Sequence, residues 1–120
     1  MNIYEKTALV HHSKNDEYFL GMLGFATRTR RIIVGKDNLR SYIRNRQKKI
    51  KLLILANDVS ENIMQDWLKR CEFFGVNVVI LDGTTKKDLA NRAGKRYLSA
   101  LGIDDEDMVK GILDKIDKGE

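Results

Sequence analysis

The chain has 120 residues, 42% of them hydrophobic, and 22 Lys and Arg stand against 17 Asp and Glu for a net charge of +5. That length and apolar share suit one domain with a buried core, and the basic excess points to a polyanionic partner, nucleic acid ahead of a membrane surface. A lone cysteine, Cys71, excludes an internal disulfide and a cysteine-based metal cluster; with no apolar run of membrane-spanning length and no secretory leader, the expectation is a cytoplasmic protein without membrane association.

Residues 1–15 mix Ile3, Tyr4, Leu9 and Val10 with charged residues at no sustained period. They read as a flexible N-terminal extension of a single domain spanning 16–120. His11 and His12 are adjacent and have no third ligand nearby, so no metal is expected. From Asp16 the segment DEYFLGMLGFATRTRR opens with acids, carries Phe19, Met22, Leu23 and Ala26 at helical spacing and ends in arginines, which predicts a first helix. Gly21 and Gly24 inside it suggest close packing against a neighbour.

Between Arg28 and Lys51 ten basic residues face Asp37 alone, a local excess of nine charges that exceeds the charge of the whole chain. Ile32, Ile33 and Val34 form a short β-branched run that stops at Gly35. Asp37 or Asn38 then offers a cap for a helix running to about Arg46, with Leu39, Tyr42 and Ile43 at helical spacing. A strand thus ends in a glycine hinge where a helix begins. The unpaired N–H groups of its first turn, beside Arg31, Lys36 and Arg40, suit a phosphate backbone.

Lys51 to Ala56 is almost purely apolar and reads as a strand buried on both faces. After turn chemistry at Asn57, Asp58 and Ser60, a helix places Ile63, Met64, Trp67, Leu68, Cys71 and Phe74 on one stripe and stops at Gly75. Trp67 and Cys71 on that stripe are core residues, since no histidine is placed to activate the thiol. Val76 to Leu81 is another buried strand, KKDLANRAGKR a short helix ending at Gly94, Tyr97 to Ile103 a weaker fourth strand, and Asp104 to about Ile116 a closing helix with acids in its first turn. The alternation predicts an α/β fold, a three-layer α-β-α sandwich around a mixed four-stranded sheet.

The chain offers no nucleophile paired with a base, no Gly-x-Gly-x-x-Gly fingerprint and no Walker loop. Neither catalysis nor a cofactor is expected. Arg28, Arg31, Lys36, Arg40 and Arg44 can meet phosphates, while Asp37 and Asn38 at a helix start carry groups that read base edges. Plain helix capping is the other reading of Asp37 and Asn38, and the two are compatible.

Four blocks in order, LGMLGFATRTRRIIVG, KIKLLILANDVSEN, CEFFGVNVVIL and TTKKDLANRAGK, resemble the ribosomal L-seven-Ae type family of kink-turn RNA-binding proteins, especially its short bacterial ribosome-associated members. The resemblance implies an α-β-α sandwich that binds a sharply bent RNA without catalysis. In that family a Gly-x-Asn-Glu-x-x-Lys segment touches the guanines of sheared G·A pairs and the flanking phosphates. Here Gly35 is kept, Asp37 and Asn38 hold the Asn and Glu positions, and Ser41 holds the Lys position, which leaves Lys36, Arg40 or Arg44 to supply the missing cation. The resemblance also implies contacts from Asn57, Asp58, Val59 and Ser60 and from the loop of Asp82 to Lys86. The expected partner is RNA, structured and of ribosomal type, bound by a monomer. A non-catalytic protein-interaction module with an eroded RNA site is the alternative.

Overall fold

The computed structural model describes residues 9–13 and 15–117. In chain order the elements are β1 (Val10–His12), α1 (Asp16–Arg28), β2 (Ile32–Ile33), α2 (Lys36–Arg44), β3 (Leu52–Ala56), α3 (Glu61–Phe74), β4 (Asn77–Leu81), α4 (Lys86–Arg92), β5 (Ala100–Ile103) and α5 (Glu106–Asp117). The strands form one mixed sheet in the order β1-β4-β3-β5-β2. β1, β4 and β3 run parallel, and β5 runs antiparallel to both β3 and β2, so β2 points the same way as β3.

The helices cover both faces. α1 packs with α4, and the Lys115 ammonium of α5 lies 4.7 Å from the Tyr18 ring centre on α1; α2 and α3 pack together. β3 is buried along its whole length, as a strand covered by helices on both faces must be. Trp67 and Cys71 lie in the core, as their stripe predicts, whereas Ile63, read on the same stripe, is half exposed in the first turn of α3.

Each connection has a local cause. Asn15 caps α1 by accepting from the Tyr18 N–H, Ser60 caps α3 through Ile63, Thr85 caps α4 through Asp88, and Asp105 accepts from Met108 at the start of α5. Gly75 ends α3 at φ 71°, a left-handed conformation that glycine adopts without strain. At the end of α1 that left-handed residue is Arg30, at φ 58°; the Arg31 N–H reaches back to Ala26 O at 2.7 Å and closes the turn.

Several expectations need correction. The sheet has five strands, because Val10–His12, inside the segment read as a flexible extension, pairs in register with Val78–Ile80. The part of that extension before Leu9 lies outside the described residues. The strand read from Tyr97 begins only at Ala100, and Tyr97 stands in the preceding loop. Gly21 does not mark close packing, since a Cβ there would meet nothing within 4 Å, and one at Gly24 would meet only the Arg28 side chain of its own helix. Gly102 stands in tight quarters instead, since a Cβ there would lie 3.0 Å from the Tyr42 ring, and one at Gly83 would lie 3.0 Å from the Asp16 carboxylate.

Candidate functional site

Strand direction gathers the loops. Because β1, β4, β3 and β2 are parallel, the segments leaving their C-terminal ends emerge at one end of the sheet, where the chain also enters β5. Ile33 and Leu53 both pair with Gly102, so β2 and β3 are level, and the Gly35 turn stands beside the Asn57 loop with only β5 between them. Two strand spacings put these loops about 10 Å apart. An open α/β sheet offers ligands this end.

At the basic side of this end, Gly35 at φ 93° forms the N-terminal boundary of α2, two or three residues before the cap expected at Asp37 or Asn38. No side chain caps α2, in contrast to the other four helices. Its first-turn N–H groups stay available, and Lys36, Asp37 and Asn38 are exposed around them. Asn38 turns its Nδ2 back to donate to Val34 O at 3.1 Å, which leaves Oδ1 as its outward acceptor. Arg40 is half-buried, with its Nε covered and unpartnered, while Ser41 and Arg44 are exposed further along the helix.

The neighbouring loops are tied together. Asn57 takes its N–H to Thr84 O and its Nδ2 to Asp82 O, both from β3 to the loop after β4, and Asp58 accepts from the Lys86 N–H at 2.8 Å. Asp16 accepts from the Gly83 N–H and the Thr84 hydroxyl, fastening that loop to the start of α1. The side chains of Asn57, Asp58 and Lys86 are exposed at this end. Ser60 is exposed as well, with its hydroxyl committed to the α3 cap. Val59 is buried, so only its backbone can face a ligand.

Not every expected residue joins this cluster. Arg28 and Arg31 lie at the other end of β2, about 13 Å along the extended chain from Gly35. Nor is the whole excess of charge free. Lys48 pairs with Asp104 at 2.6 Å, and Glu106 accepts from the N–H groups of Lys49 and Ile50. The acids that open α5 thus hold the basic linker as well as the helix start. Lys51 is buried, its ammonium donating to Ile43 O at 2.7 Å and Asn45 O at 2.8 Å at the end of α2.

Lys95, Arg96 and Tyr97 escape a reading of the sequence because they look like the approach to a strand. They occupy the loop before β5, between the Gly35 turn and the Asn57 loop, tied there by the Ala56 N–H donating to Ser99 O. Tyr97 is 92% exposed. The signal was an aromatic ring following two cations in a stretch without periodicity.

The buried titratable groups belong to the scaffold. Burial lowers the Lys51 pKa and pushes the Cys71 thiol up to about 12, the nearby Lys51 partly offsetting the latter. Burial also raises Tyr42, whose hydroxyl donates to Ile103 O at 2.7 Å and accepts from the Leu52 N–H at 2.9 Å. Among the described residues no three His, Cys, Asp or Glu side chains group closely enough to hold a metal ion.

No curated protein matches the chain. Among solved structures, a protein with unknown function from Bacillus halodurans C is similar with a TM-score of 0.70 at 23% identity, over 82% of this chain and 96% of that one. The Giardia lamblia 15.5kD RNA binding protein is similar with a TM-score of 0.73 at 16% identity, over 98% of both chains. Both share the fold. The sequence model of the ribosomal protein L7Ae/L30e/S12e/Gadd45 family matches residues 17–112, a span that runs from the first turn of α1 into α5 and takes in the uncapped helix and every loop around it. By that match the chain belongs to the ribosomal protein L7Ae/L30e/S12e/Gadd45 family.

Proposed function

We propose that this protein is a non-catalytic RNA-binding protein that recognises a sharply bent RNA of kink-turn type, in a ribosomal or other cytoplasmic ribonucleoprotein setting, as a monomer. The observation that carries this reading is the uncapped N-terminus of α2 at Gly35, ringed by Lys36, Arg40 and the loop of Lys95 and Arg96, at the ligand-bearing end of the sheet. Family membership and the similarity to a protein named for RNA binding support it. The first-turn N–H groups and the cations hold phosphates, Asp37 and the free Oδ1 of Asn38 accept from guanine edges, and Tyr97 offers a face on which a base stacks. The Asn57–Ser60 loop and Lys86 complete the rim.

The test is binding to a kink-turn RNA and to the same RNA with its sheared G·A pairs replaced by Watson–Crick pairs. Preference for the kinked form is expected; equal affinity for both overturns the motif-specific part. One observation favours a second reading, a module that docks on an acidic protein surface: exposed Asp37 sets a negative charge in the first turn of α2, where phosphates would sit. Retained RNA affinity in a Lys36→Ala, Arg40→Ala double variant that loses a protein partner would favour this reading.

A further inference from the structure

At the edge of the sheet opposite the Gly35 turn, a cleft of about 480 Å³ opens between α1 and α4, beyond the ends of β1 and β4. Four strand spacings, about 19 Å, separate this edge from that turn. Ser13 and the loop after β4 form the head of the cleft, Asp16, Glu17 and Leu20 of α1 make one wall, and Asp88 and Arg92 of α4 make the other. The volume falls in the range of small-ligand clefts.

In a protein of net charge +5, this lining is acidic: among the described residues the carboxylates of Asp16, Glu17, Asp82 and Asp88 stand against the guanidinium of Arg92. Two of the four are engaged. His12 Nδ1 holds Asp82 Oδ1 at 2.8 Å, and Asp16 Oδ2 accepts from the Gly83 N–H at 2.8 Å and the Thr84 hydroxyl at 2.7 Å, which leaves Asp16 Oδ1 open. Glu17 and Asp88 are exposed, and their side chains pair with nothing among the described residues. Ser13 needs a partner that the protein does not supply. The residue is 6% exposed, and its Oγ is covered and makes no hydrogen bond. A hydroxyl buried in that state is costly, and a donor brought by a ligand offsets the cost.

We propose that this cleft binds a short aliphatic diamine, with one ammonium on the Ser13 hydroxyl and Asp16 Oδ1, the other between Glu17 and Asp88, and the methylene chain over Leu20. This site goes beyond the RNA reading and does not depend on it. An ammonium sends three donors in divergent directions, which suits acceptors that come from the end of β1 and from two helices; a planar guanidinium presents its fork to one carboxylate and leaves the hydroxyl out. An inorganic cation is disfavoured, because among the described residues no three ligating side chains group closely enough to hold a metal ion. Arg92, the last residue of α4, repels a further cation and limits the ligand to two charges.

The experiment is a titration of the full chain, free of RNA, with putrescine, amide signals followed by NMR; butylamine is the single-cation control and magnesium chloride the inorganic one. Saturable shifts of the Glu17, Gly83, Thr84 and Asp88 amides are expected with putrescine, and butylamine is expected to bind about tenfold more weakly for want of its second charged hydrogen bond. Ser13→Ala is expected to weaken putrescine about tenfold without lowering the melting temperature, since the free protein loses no hydrogen bond. Glu17→Gln with Asp88→Asn, both at exposed positions, is expected to erase the difference between putrescine and butylamine. Equal shifts from magnesium chloride at the same concentrations mark a diffuse acidic surface and overturn the proposal. So does an unchanged putrescine affinity in Ser13→Ala, or a Gly-Lys-Gly peptide that binds more tightly than putrescine and points to a partner protein's lysine. None of these readouts involves RNA, so failure here and failure of the RNA reading are told apart.

Discussion

Replacing Lys51 with Met separates two roles that the sequence assigns to one charge. Lys51 is 7% exposed, and its ammonium ends in two short hydrogen bonds, to Ile43 O and Asn45 O, where α2 finishes. Hydrogen bonds of a charged group contribute about 1.5–3 kcal/mol each, and the variant leaves both carbonyls covered without a donor. Against that loss stands the relief of a buried charge, which already lowers the Lys51 pKa. The net cost is about 3 kcal/mol, a large part of the stability of a small domain, and corresponds to a fall of about 10–15 °C in melting temperature. Thermal unfolding and the salt dependence of RNA binding are measured together. Expected is a lower melting temperature with an unchanged slope of log K against log salt, because Lys51 meets no phosphate. An unchanged melting temperature with a shallower slope would refute the reasoning and return Lys51 to the RNA-facing charges.

For Lys36→Ala with Arg40→Ala the expected pattern is the reverse: melting within a few degrees of the parent, a salt slope shallower by about 1.5–2, and weaker RNA binding, read by filter binding at two salt concentrations. Tyr42→Phe orphans the Leu52 N–H and Ile103 C=O together and should cost about 2–3 kcal/mol in denaturant unfolding. Arg30→Gly relieves the left-handed backbone and should stabilise by about 0.5–1 kcal/mol, the gain reduced by the added freedom of the unfolded chain. Folding raises the Cys71 pKa from 9.0 to about 12, so above pH 9 the unfolded state sheds a proton that the folded state keeps, and stability falls by about 1 kcal/mol by pH 10. Tyr42, also raised by burial, adds to that fall above pH 10, whereas Lys51, lowered, works against it up to 10.5. Cys71→Ala should flatten the segment between pH 9 and 10 in urea titrations.

The helices and the central strands were legible because each carries a periodic or fully apolar pattern closed by a cap or a glycine: Phe19 to Ala26, Leu52 to Ala56, Met64 to Cys71 under Ser60 and Gly75. β1 was not, since a three-residue strand at a sheet edge is specified by the β4 backbone it joins rather than by a pattern of its own. The cluster of Gly35, Lys36, Asp37 and Asn38 could be read from a strand running into a helix start. Its exact boundary could not, because Asp37 and Asn38 look like caps until the side chain of Asn38 is seen turning to Val34. Charge counting misled most. It treats Lys48 and Lys51 like Lys36, whereas Asp104 and two helix carbonyls engage the first two ammonium groups. Those partners lie far along the chain or depend on the fold. The sequence shows that a basic stretch exists; only packing decides which of its charges face outward.

The fastening of α2 is one-sided. Its C-terminal half is held by the Tyr42 hydroxyl and by Lys51 clasping the last carbonyls, while its first turn hangs on Gly35 and a single Asn38 bond. A bound RNA therefore has to order little more than one turn of protein, a few residues at about 1–2 kcal/mol each, because the rest of the helix is already set. Most of the conformational work of association then falls to the nucleic acid. Its own readiness to bend would govern how tightly different RNAs are held, even where every contacted base is the same.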